Sequence, residues 1–446
     1  MKKLEKWLVP FGSKLAGNSI LSAIRDGIAV VIPLVMAGSI ALIIKNFPIT
    51  SWTNWLAKDG LGFSNFLLQL YYGSFALMAL VAVFGIAYAY AKRKNVDPLA
   101  AGIISLASYV ITLPFSTTIA TTAIKSQSTN AKGVTNIVAS ATGQGIDFTL
   151  LGSQGLFGAI LVGLISAVIF TWFVTHKITI KMPETVPPAV ANSFTALIPG
   201  VVILLFWDLI QAGLAATPMH SLNNMMTVIL GQPLTVFGSS IWGVVIIVAL
   251  NSILWFVGVH GGNITFAIMD PIYLALMAQN LQAYEAHKAI PNIVSRPFMD
   301  NFIYLGGGGA TLGLVIALTL FAKSRQYKTL KPLVMVPGIF NINEPTMFGV
   351  PVVLNVYLII PFIVTPIVNA LISYSAMAIG LVARTTGVAL PWTLPPIVSG
   401  FLATSSWTGA ALQAVLIVLD ILIWFPFLKI SDNRELALEN GEVKEA

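Results

Sequence analysis

Three polar side chains stand close together in an otherwise apolar part of the sequence, namely Asn341, Asn343 and Glu344. Glu344 is the only charged residue between Lys331 and Arg384. A carboxylate at membrane depth costs roughly 2.5 kcal/mol or more to insert, so it is usually retained for function. One carboxylate and two amides at this spacing favour a site that hydrogen-bonds the hydroxyl groups of a ligand. The alternative is a protonated or lysine-paired carboxylate that only holds the loop.

The residues around this group predict a loop rather than a continuous helix. Prolines or glycines lie at both ends of residues 337–351, and Pro345 lies in the middle. These residues break helices. Irregular backbone at membrane depth is tolerated only where protein or a water-filled cavity covers it. We therefore predict a re-entrant segment near 337–351 that lines a polar binding site.

His260 is the second candidate for a site residue, because Gly258, Gly261 and Gly262 surround it at the end of an apolar run. Glycines let a ligand approach backbone amides closely. A lone histidine is more often a satisfied buried donor, but the flanking glycines favour a binding role for His260, Gly261 and Gly262. We predict a second re-entrant segment near 258–271. The four histidines share no metal-ligand spacing, so we predict neither a metal nor a cofactor.

Two tryptophans, Trp255 and Trp392, extend the candidate site. Most tryptophans at span ends anchor the protein at the membrane interface. Trp392 lies in a proline-broken element, 391–396, and its aromatic face suits stacking against a pyranose ring. Both interpretations are open for Trp392, and Trp255 is included because it precedes His260 closely.

Other motifs favour structural roles. Asp270 precedes Pro271, so it is an ion-coupling carboxylate or, as we favour, the N-cap of a helix that begins at the proline. Arg25 and Asp26 are interpreted as a pair at the inner membrane boundary. The four glycines 306–309 lack the Gly-Lys-Ser/Thr ending of a phosphate-binding loop, so we predict close helix packing or a hinge there.

Composition places these residues in an all-α polytopic membrane protein. The 446 residues are 57% hydrophobic and 9% charged, with a mean hydropathy of +0.86, whereas soluble domains carry about 25% charged residues. The apolar runs do not alternate as the strands of a porin do. The net charge of +7 comes from lysines and arginines in loops, which fits the positive-inside rule and not nucleic-acid binding.

The hydrophobic runs predict about ten transmembrane helices, two re-entrant hairpin segments and interfacial amphipathic helices, with both termini in the cytoplasm. A proline-rich linker suggests an N-terminal part, 1–182, and a C-terminal part, 183–446. Residues 116–154 are predicted to be an outer loop and residues 429–446 a charged cytoplasmic tail. The ten predicted spans are 27–44, 73–91, 98–113, 155–175, 189–212, 234–257, 264–279, 302–321, 352–378 and 410–427.

Four motifs together resemble one family, the lactose/cellobiose/chitobiose family of membrane permease subunits, enzyme IIC, of the bacterial phosphotransferase system. The resemblance covers essentially the whole chain, and its most specific part is the Asn-Glu-Pro segment. The motifs are Ile24-Arg-Asp-Gly27, Val259-His-Gly-Gly262, Gly309-Ala-Thr-Leu-Gly313 and Asn341-Ile-Asn-Glu-Pro-Thr-Met-Phe-Gly-Val-Pro-Val-Val-Leu-Asn355.

The resemblance implies a homodimer in the bacterial cell membrane, with dimerisation by the N-terminal part and sugar binding by the C-terminal part. It implies import of a β-linked disaccharide, for which we expect cellobiose or diacetylchitobiose. A phosphocysteine of enzyme IIB would phosphorylate the sugar 6-hydroxyl. Because this chain has no cysteine, the donor is expected on a separate protein. Glu344 would then accept or orient the hydroxyl proton, and His260 would bind nearby.

The main alternative is an ion-coupled sugar transporter that performs no chemistry. In that case Asp270 or Glu344 would be the coupling carboxylate. A permease subunit of a phosphotransferase carries no phosphorylated residue of its own, so the resemblance alone does not assign an enzymatic activity to this chain. A channel is disfavoured because no ring-forming pore motif is present.

Overall fold

The computed structural model describes residues 18–440 apart from 46–48, 59, 115, 123–137, 147, 184, 257–259, 351, 353–354 and 356. This part of the chain is helical except for one antiparallel hairpin, in which β1 (Ser116–Thr122) pairs with β2 (Val138–Gln144). The helices before residue 216 are α1 Ser19–Ala29, α2 Ile32–Lys45, α3 Thr50–Lys58, α4 Leu61–Tyr72, α5 Met78–Arg93, α6 Pro98–Ile111, α7 Phe148–Leu151, α8 Leu156–Thr175 and α9 Pro188–Ala215.

The second half of the chain contains three long helices and several shorter ones. The helices are α10 Leu222–Met226, α11 Gln232–Ser239, α12 Ile241–Phe256, α13 Gly261–Glu285, α14 Arg296–Phe298, α15 Leu312–Phe321, α16 Arg325–Ile339, α17 Glu344–Gly349, α18 Ile359–Ala378, α19 Val398–Thr404 and α20 Trp407–Glu439. Single π-helical turns, Thr227–Gly231 and Met299–Ile303, precede α11 and follow α14. Such turns occur frequently at functional sites.

The membrane-spanning segments confirm the all-α polytopic class. Within the described ranges, seven helical segments are long and apolar enough to span a membrane. A bent pair, α11 with α12, meets at 83° as a broken span or re-entrant loop does, and two shorter apolar helices, α6 and α15, add to these. The seven segments are Ser19–Lys45, Gly62–Arg93, Ser153–Thr175, Val190–Ala215, Gly261–Glu285, Ile359–Ala378 and Trp407–Glu439.

Close helix packing holds the N-terminal bundle together. Helix α5 packs against α1, α6 and α8. Its Gly85 faces Gly27 of α1 so closely that a methyl group on either glycine would meet the backbone of the other helix. Asp26 lies at the same junction, where Arg25 and Arg93 each contact it at 2.6 Å. Helix α9, which follows the predicted boundary at 183, packs against α6 and α8.

Four predictions about local structure were wrong. Residues 116–154 are not simply a loop, because strand-favouring Thr and Ile residues form the hairpin. The span predicted at 302–321 is broken, because Gly306, Gly307 and Gly309 have positive φ angles of 82°, 94° and 80°. The helix α13 begins at its N-cap His260 and runs through Asp270 and Pro271, so Asp270 is not a cap.

The fourth error concerns the predicted tail from residue 429. Up to Glu439 this segment is the end of α20, and it is tied to the start of α16. The Asp432 carboxylate accepts hydrogen bonds from the amides of Lys323 and Ser324, at 2.7 and 2.9 Å. Glu439 accepts from the amides of Arg325 and Gln326. Orphan amides at a helix N-terminus need such acceptors, which explains why this charged segment is ordered.

Candidate functional site

Five segments of the C-terminal half enclose a cavity of about 320 Å³. This volume lies within the usual range for small-molecule sites, about 300–1,000 Å³. The lining residues are Asn251, Trp255, His260, Gly262, Asn263, Phe266, Arg296, Asp300, Tyr304, Gly307, Gly308, Asn341, Asn343, Glu344 and Trp392. The segments are the end of α12, the start of α13, the chain from α14 to α15, the turn between α16 and α17, and the loop before α19.

The turn between α16 and α17 carries Glu344 into the cavity. Helix α16 continues to Ile339 although it contains two prolines and a glycine. Helix α17 begins at Glu344 and packs back against α16. The chain therefore reverses over residues 340–343, inside the segment predicted to be re-entrant. Glu344 is exposed, and within the described part of the chain it makes no ion pair. Its charge is thus not consumed by a lysine that only holds the loop.

Asn341 joins this turn to two other walls of the cavity. Its Oδ1 accepts a hydrogen bond from the Gly306 amide at 2.7 Å, and its Nδ2 donates to the carbonyl oxygens of Trp392 and Leu394 at 2.7 and 2.9 Å. Both amide hydrogens are engaged, so Asn341 has no donor left for a ligand. Asn341 therefore positions these walls, and its predicted contact with a ligand hydroxyl, for which one lone pair of Oδ1 is left, stays a prediction. The residue also has a positive φ of 61°, a conformation that asparagine tolerates.

The glycine loop 306–309 forms the wall opposite this turn. Asn343 donates from Nδ2 to the Gly308 carbonyl at 3.0 Å, which leaves one amide hydrogen and its oxygen for other partners. A Cβ atom at Gly307 would lie 2.8 Å from the Asn341 carbonyl oxygen and the Asn343 side chain. The glycines are thus required both by their φ angles and by the close approach of the turn.

His260 is held by the helix that it caps. Its Nδ1 accepts the Asn263 backbone N–H at 3.2 Å, and the Trp255 ring lies 4.2 Å away between centroids. A neutral imidazole with an accepting Nδ1 carries its proton on Nε2. His260 is therefore a hydrogen-bond donor through Nε2 while the ring is neutral.

Trp392 provides an exposed aromatic surface at the cavity, with 51% of its area accessible. It also lines a second, smaller cavity of about 70 Å³ beside α1 and α2. Trp255, in contrast, is only 6% exposed and packs against His260. An aromatic face and convergent polar groups are the combination that carbohydrate binding needs.

Comparison with known protein families identifies the family of this chain. The family model described as "Phosphotransferase system, EIIC" matches residues 25–366. The chain belongs to this family. The match includes every candidate residue except Trp392, and it confirms the resemblance drawn from the four sequence motifs.

Named relatives cover the EIIC protein almost end to end. It is 40% identical to the lichenan permease IIC component of Bacillus subtilis (strain 168), over 98% of this chain and 94% of the relative. It is 40% identical to the cellobiose-specific EIIC component of Geobacillus stearothermophilus, over 99% and 96%. The crystal structure of the transporter ChbC, the IIC component from the N,N'-diacetylchitobiose-specific phosphotransferase system, matches with a TM-score of 0.92 and 42% identity, over 99% of this chain and 100% of that one.

Seven of the eight predicted site residues of this EIIC protein line the same cavity. They are Trp255, His260, Gly262, Asn341, Asn343, Glu344 and Trp392. Gly261 does not line it, because the residue faces α12 instead. A Cβ atom there would collide with the backbone and side chain of Asn251, so Gly261 serves helix packing.

Sequence reasoning missed a partly buried charged group in the cavity wall. Arg296 contacts the Asp270 carboxylate, bonds Asp300 through Nε at 2.8 Å and lies 4.0 Å above the Phe266 ring centre. Arg296 and Asp300 are four residues apart on a short helical turn, a spacing that signals a pair. Asp270, the other partner of Arg296, is 26 positions away, so no local spacing in the sequence indicates this pair. This ion pair also removes Asp270 from the list of free coupling carboxylates.

Proposed function

We propose that this EIIC protein imports a β-linked disaccharide of the cellobiose or diacetylchitobiose type and presents its 6-hydroxyl group for phosphorylation. The donor is a phosphocysteine of a separate enzyme IIB at the cytoplasmic face. The observation that carries the proposal is the meeting of Glu344, His260, Asn343 and Trp392 at one cavity. We further propose a homodimer in the bacterial cell membrane with both termini in the cytoplasm.

The chemistry follows from the groups in the cavity. The sugar 6-oxygen attacks the phosphorus atom, the O–P bond forms, the S–P bond breaks and the cysteine leaves as a thiolate. The hydroxyl proton goes to the Glu344 carboxylate, which makes no ion pair within the described part of the chain. Such general-base help contributes about 10²–10⁴-fold in rate. The Nε2–H of His260 hydrogen-bonds the same region of the sugar, and the Trp392 face carries a pyranose ring.

The choice of sugar class is supported by the lining and by the relatives. Convergent polar groups with an aromatic face suit a sugar, and the relatives carry the names cellobiose-specific and diacetylchitobiose-specific. One relative, the lactose-specific EIICB component of Lacticaseibacillus casei, is 32% identical, and this chain covers 73% of it. Its name joins B and C components, while this chain has no cysteine to hold a phosphoryl group.

Directionality is a consequence of the same carboxylate. A phosphorylated sugar carries negative charge, and a like charge beside Glu344 is repelled. The product therefore leaves the site towards the cytoplasm and does not rebind. An ion-coupled transporter would need a free coupling carboxylate; because Asp270 is paired with Arg296, that role would fall to Glu344.

The test uses purified protein in proteoliposomes with labelled cellobiose. Phosphorylated enzyme IIB is supplied or withheld on the face corresponding to the cytoplasm, and the pH and sodium gradients are varied independently. We expect sugar phosphate to appear only with the phosphorylated partner, regardless of the gradient. Accumulation of unmodified sugar driven by a gradient alone would refute the proposal and support ion coupling.

A further inference from the structure

Helix α20 does not line the sugar cavity, yet it holds two of the cavity walls. Gln413, in its second turn, is fully buried. Its Nε2 donates to the Asn301 carbonyl oxygen at 2.6 Å and to Ser399 Oγ at 3.0 Å. Its Oε1 accepts from the amides of Ile397 and, at 2.8 Å, Gly400. All polar atoms of this buried carboxamide are thus engaged, and three of the partners are backbone groups.

The first partner belongs to the wall that contains Asp300. Asn301 follows Asp300 directly, and Asp300 lines the cavity and bonds Arg296. The same wall is held again at its far end, where Trp424 of α20 donates from Nε1 to the Ala310 carbonyl oxygen at 3.2 Å. The two anchors are 11 residues apart, three helical turns, so they lie on one face of α20.

The other partners belong to the loop that carries Trp392. Ile397 has a φ angle of +76°, which a β-branched residue adopts only when its surroundings impose it. The amide of Ile397 is held by Gln413. Gly400 lies so close to the Gln413 amide and to the Gly409 carbonyl that a side chain would not fit. The Trp392 loop is therefore seated on α20 through Gln413, while its other end is held by Asn341.

We infer that Gln413 is a positioning residue of the sugar site, which fixes Trp392 relative to Asp300 and thereby sets the affinity for the sugar ring at that end. This inference rests on the proposed function. It predicts a division within the cavity. Gln413 holds the end of the Trp392 loop at Ile397 and Gly400. Glu344 is one link further away, because its turn meets the Trp392 loop through Asn341. His260 is held by Asn263 and Trp255.

Substitution of Gln413 should therefore change the Kd for the sugar more than the saturated phosphorylation rate. In Gln413→Met the side chain keeps its length but leaves the Asn301 carbonyl and the Ile397 and Gly400 amides without partners. We expect the Kd for cellobiose to rise about ten-fold or more, because displacements near 1 Å at a site have effects up to about 10²-fold. The saturated phosphorylation rate should stay within about three-fold of wild type. Gln413→Glu keeps the acceptor and should give an intermediate Kd.

Leu416→Ala is the matched control, since Leu416 is fully buried on the same helix, its truncation destabilises, and its side chain has no hydrogen-bonding group to lose. It should reduce the folded amount while leaving Kd within about two-fold per folded molecule. A Gln413→Met protein with the wild-type Kd, or with the same change as Leu416→Ala, would overturn the inference.

A double-mutant cycle covers the case in which Gln413→Met does not fold. Gln413→Glu is combined with Trp392→Ala, and Kd is measured for cellobiose and diacetylchitobiose. If Gln413 acts through Trp392, Gln413→Glu should raise Kd by less than about two-fold in a protein that already carries Trp392→Ala. Full additivity would overturn the inference. A wild-type protein that binds neither sugar would instead refute the proposed function.

Discussion

Replacing Glu344 by glutamine separates a general base from a simple binder. The two side chains have the same shape, so the substitution removes a charge and a proton acceptor without opening a cavity. No cation of the described chain is left unpaired, because Glu344 makes no ion pair there. Glu344 is the first residue of α17, so the lost helix-dipole interaction costs about 0.3–1 kcal/mol of stability. We expect Glu344→Gln to fold normally.

The expected effects on rate and on binding differ in size. Loss of a general base lowers the saturated rate by about 10²–10⁴-fold, equivalent to about 3–5 kcal/mol in activation free energy. Loss of a charged hydrogen-bond acceptor, with a neutral one kept, costs about 1 kcal/mol in binding. That corresponds to about five-fold in Kd. If Glu344 were only a binder, the rate at saturating sugar would stay near the wild-type value.

The assay measures the two quantities on the same preparation. Kd for cellobiose is obtained by calorimetry in detergent, and the rate of sugar-phosphate formation is obtained in proteoliposomes with phosphorylated enzyme IIB. Glu285→Gln is the control, because Glu285 pairs with Lys45 at the opposite end of α13. A Glu344→Gln protein that keeps more than about half of the saturated rate would refute the general-base role.

Three further predictions test the site and the topology. Arg296→Met leaves the partly buried carboxylates of Asp270 and Asp300 without their cation, so the free energy of unfolding in detergent should fall by about 1–3 kcal/mol. Unchanged stability would contradict the ion-pair network. Gly307→Ala, at a φ of 94°, should weaken cellobiose binding at least about ten-fold, because the new methyl group pushes away the turn that carries Asn343 and Glu344. Gly213→Ala is the control, because Gly213 has open space around it and its substitution should leave Kd unchanged. Equal Kd values for the two variants would argue against the close approach at Gly307. Because the chain has no cysteine, single introduced cysteines can report the membrane topology. Lys94→Cys should react with a membrane-impermeant maleimide only from the cytoplasmic side, and Lys288→Cys only from the outside. The reverse pattern would contradict the proposed orientation.

The local sequence was sufficient where one residue stands out from its surroundings. Glu344 is isolated among apolar residues, and His260 is flanked by glycines, so each is visible without a partner. The same holds for the helical class, because long apolar runs can satisfy their backbone in a bilayer only as helices. The family motifs then connected these features to a phosphotransferase permease.

Asn341 marks the limit of that reasoning. Its type and spacing suggested a hydroxyl ligand, but its amide is occupied by backbone groups 35, 51 and 53 positions away. The glycines 306–309 were expected to pack helices or form a hinge, and two of them, Gly307 and Gly308, line the cavity. Neither outcome follows from neighbouring residues, since a hydrogen-bond partner far along the chain leaves no local pattern.

The sequence alone determined that this is a helical membrane protein with a carboxylate, a histidine and tryptophans suited to a sugar site. Only the tertiary structure decided which of them share one cavity and which hold its walls together. It placed Arg296 between two aspartates, it made the charged C-terminal segment a cap for α16, and it put Gln413 behind the cavity as a support. The physical reason is that residue types set the local secondary-structure propensity and the cost of burying a polar group. The hydrogen-bond or ion-pair partner that offsets this cost comes from a segment far along the chain, so it depends on the tertiary fold.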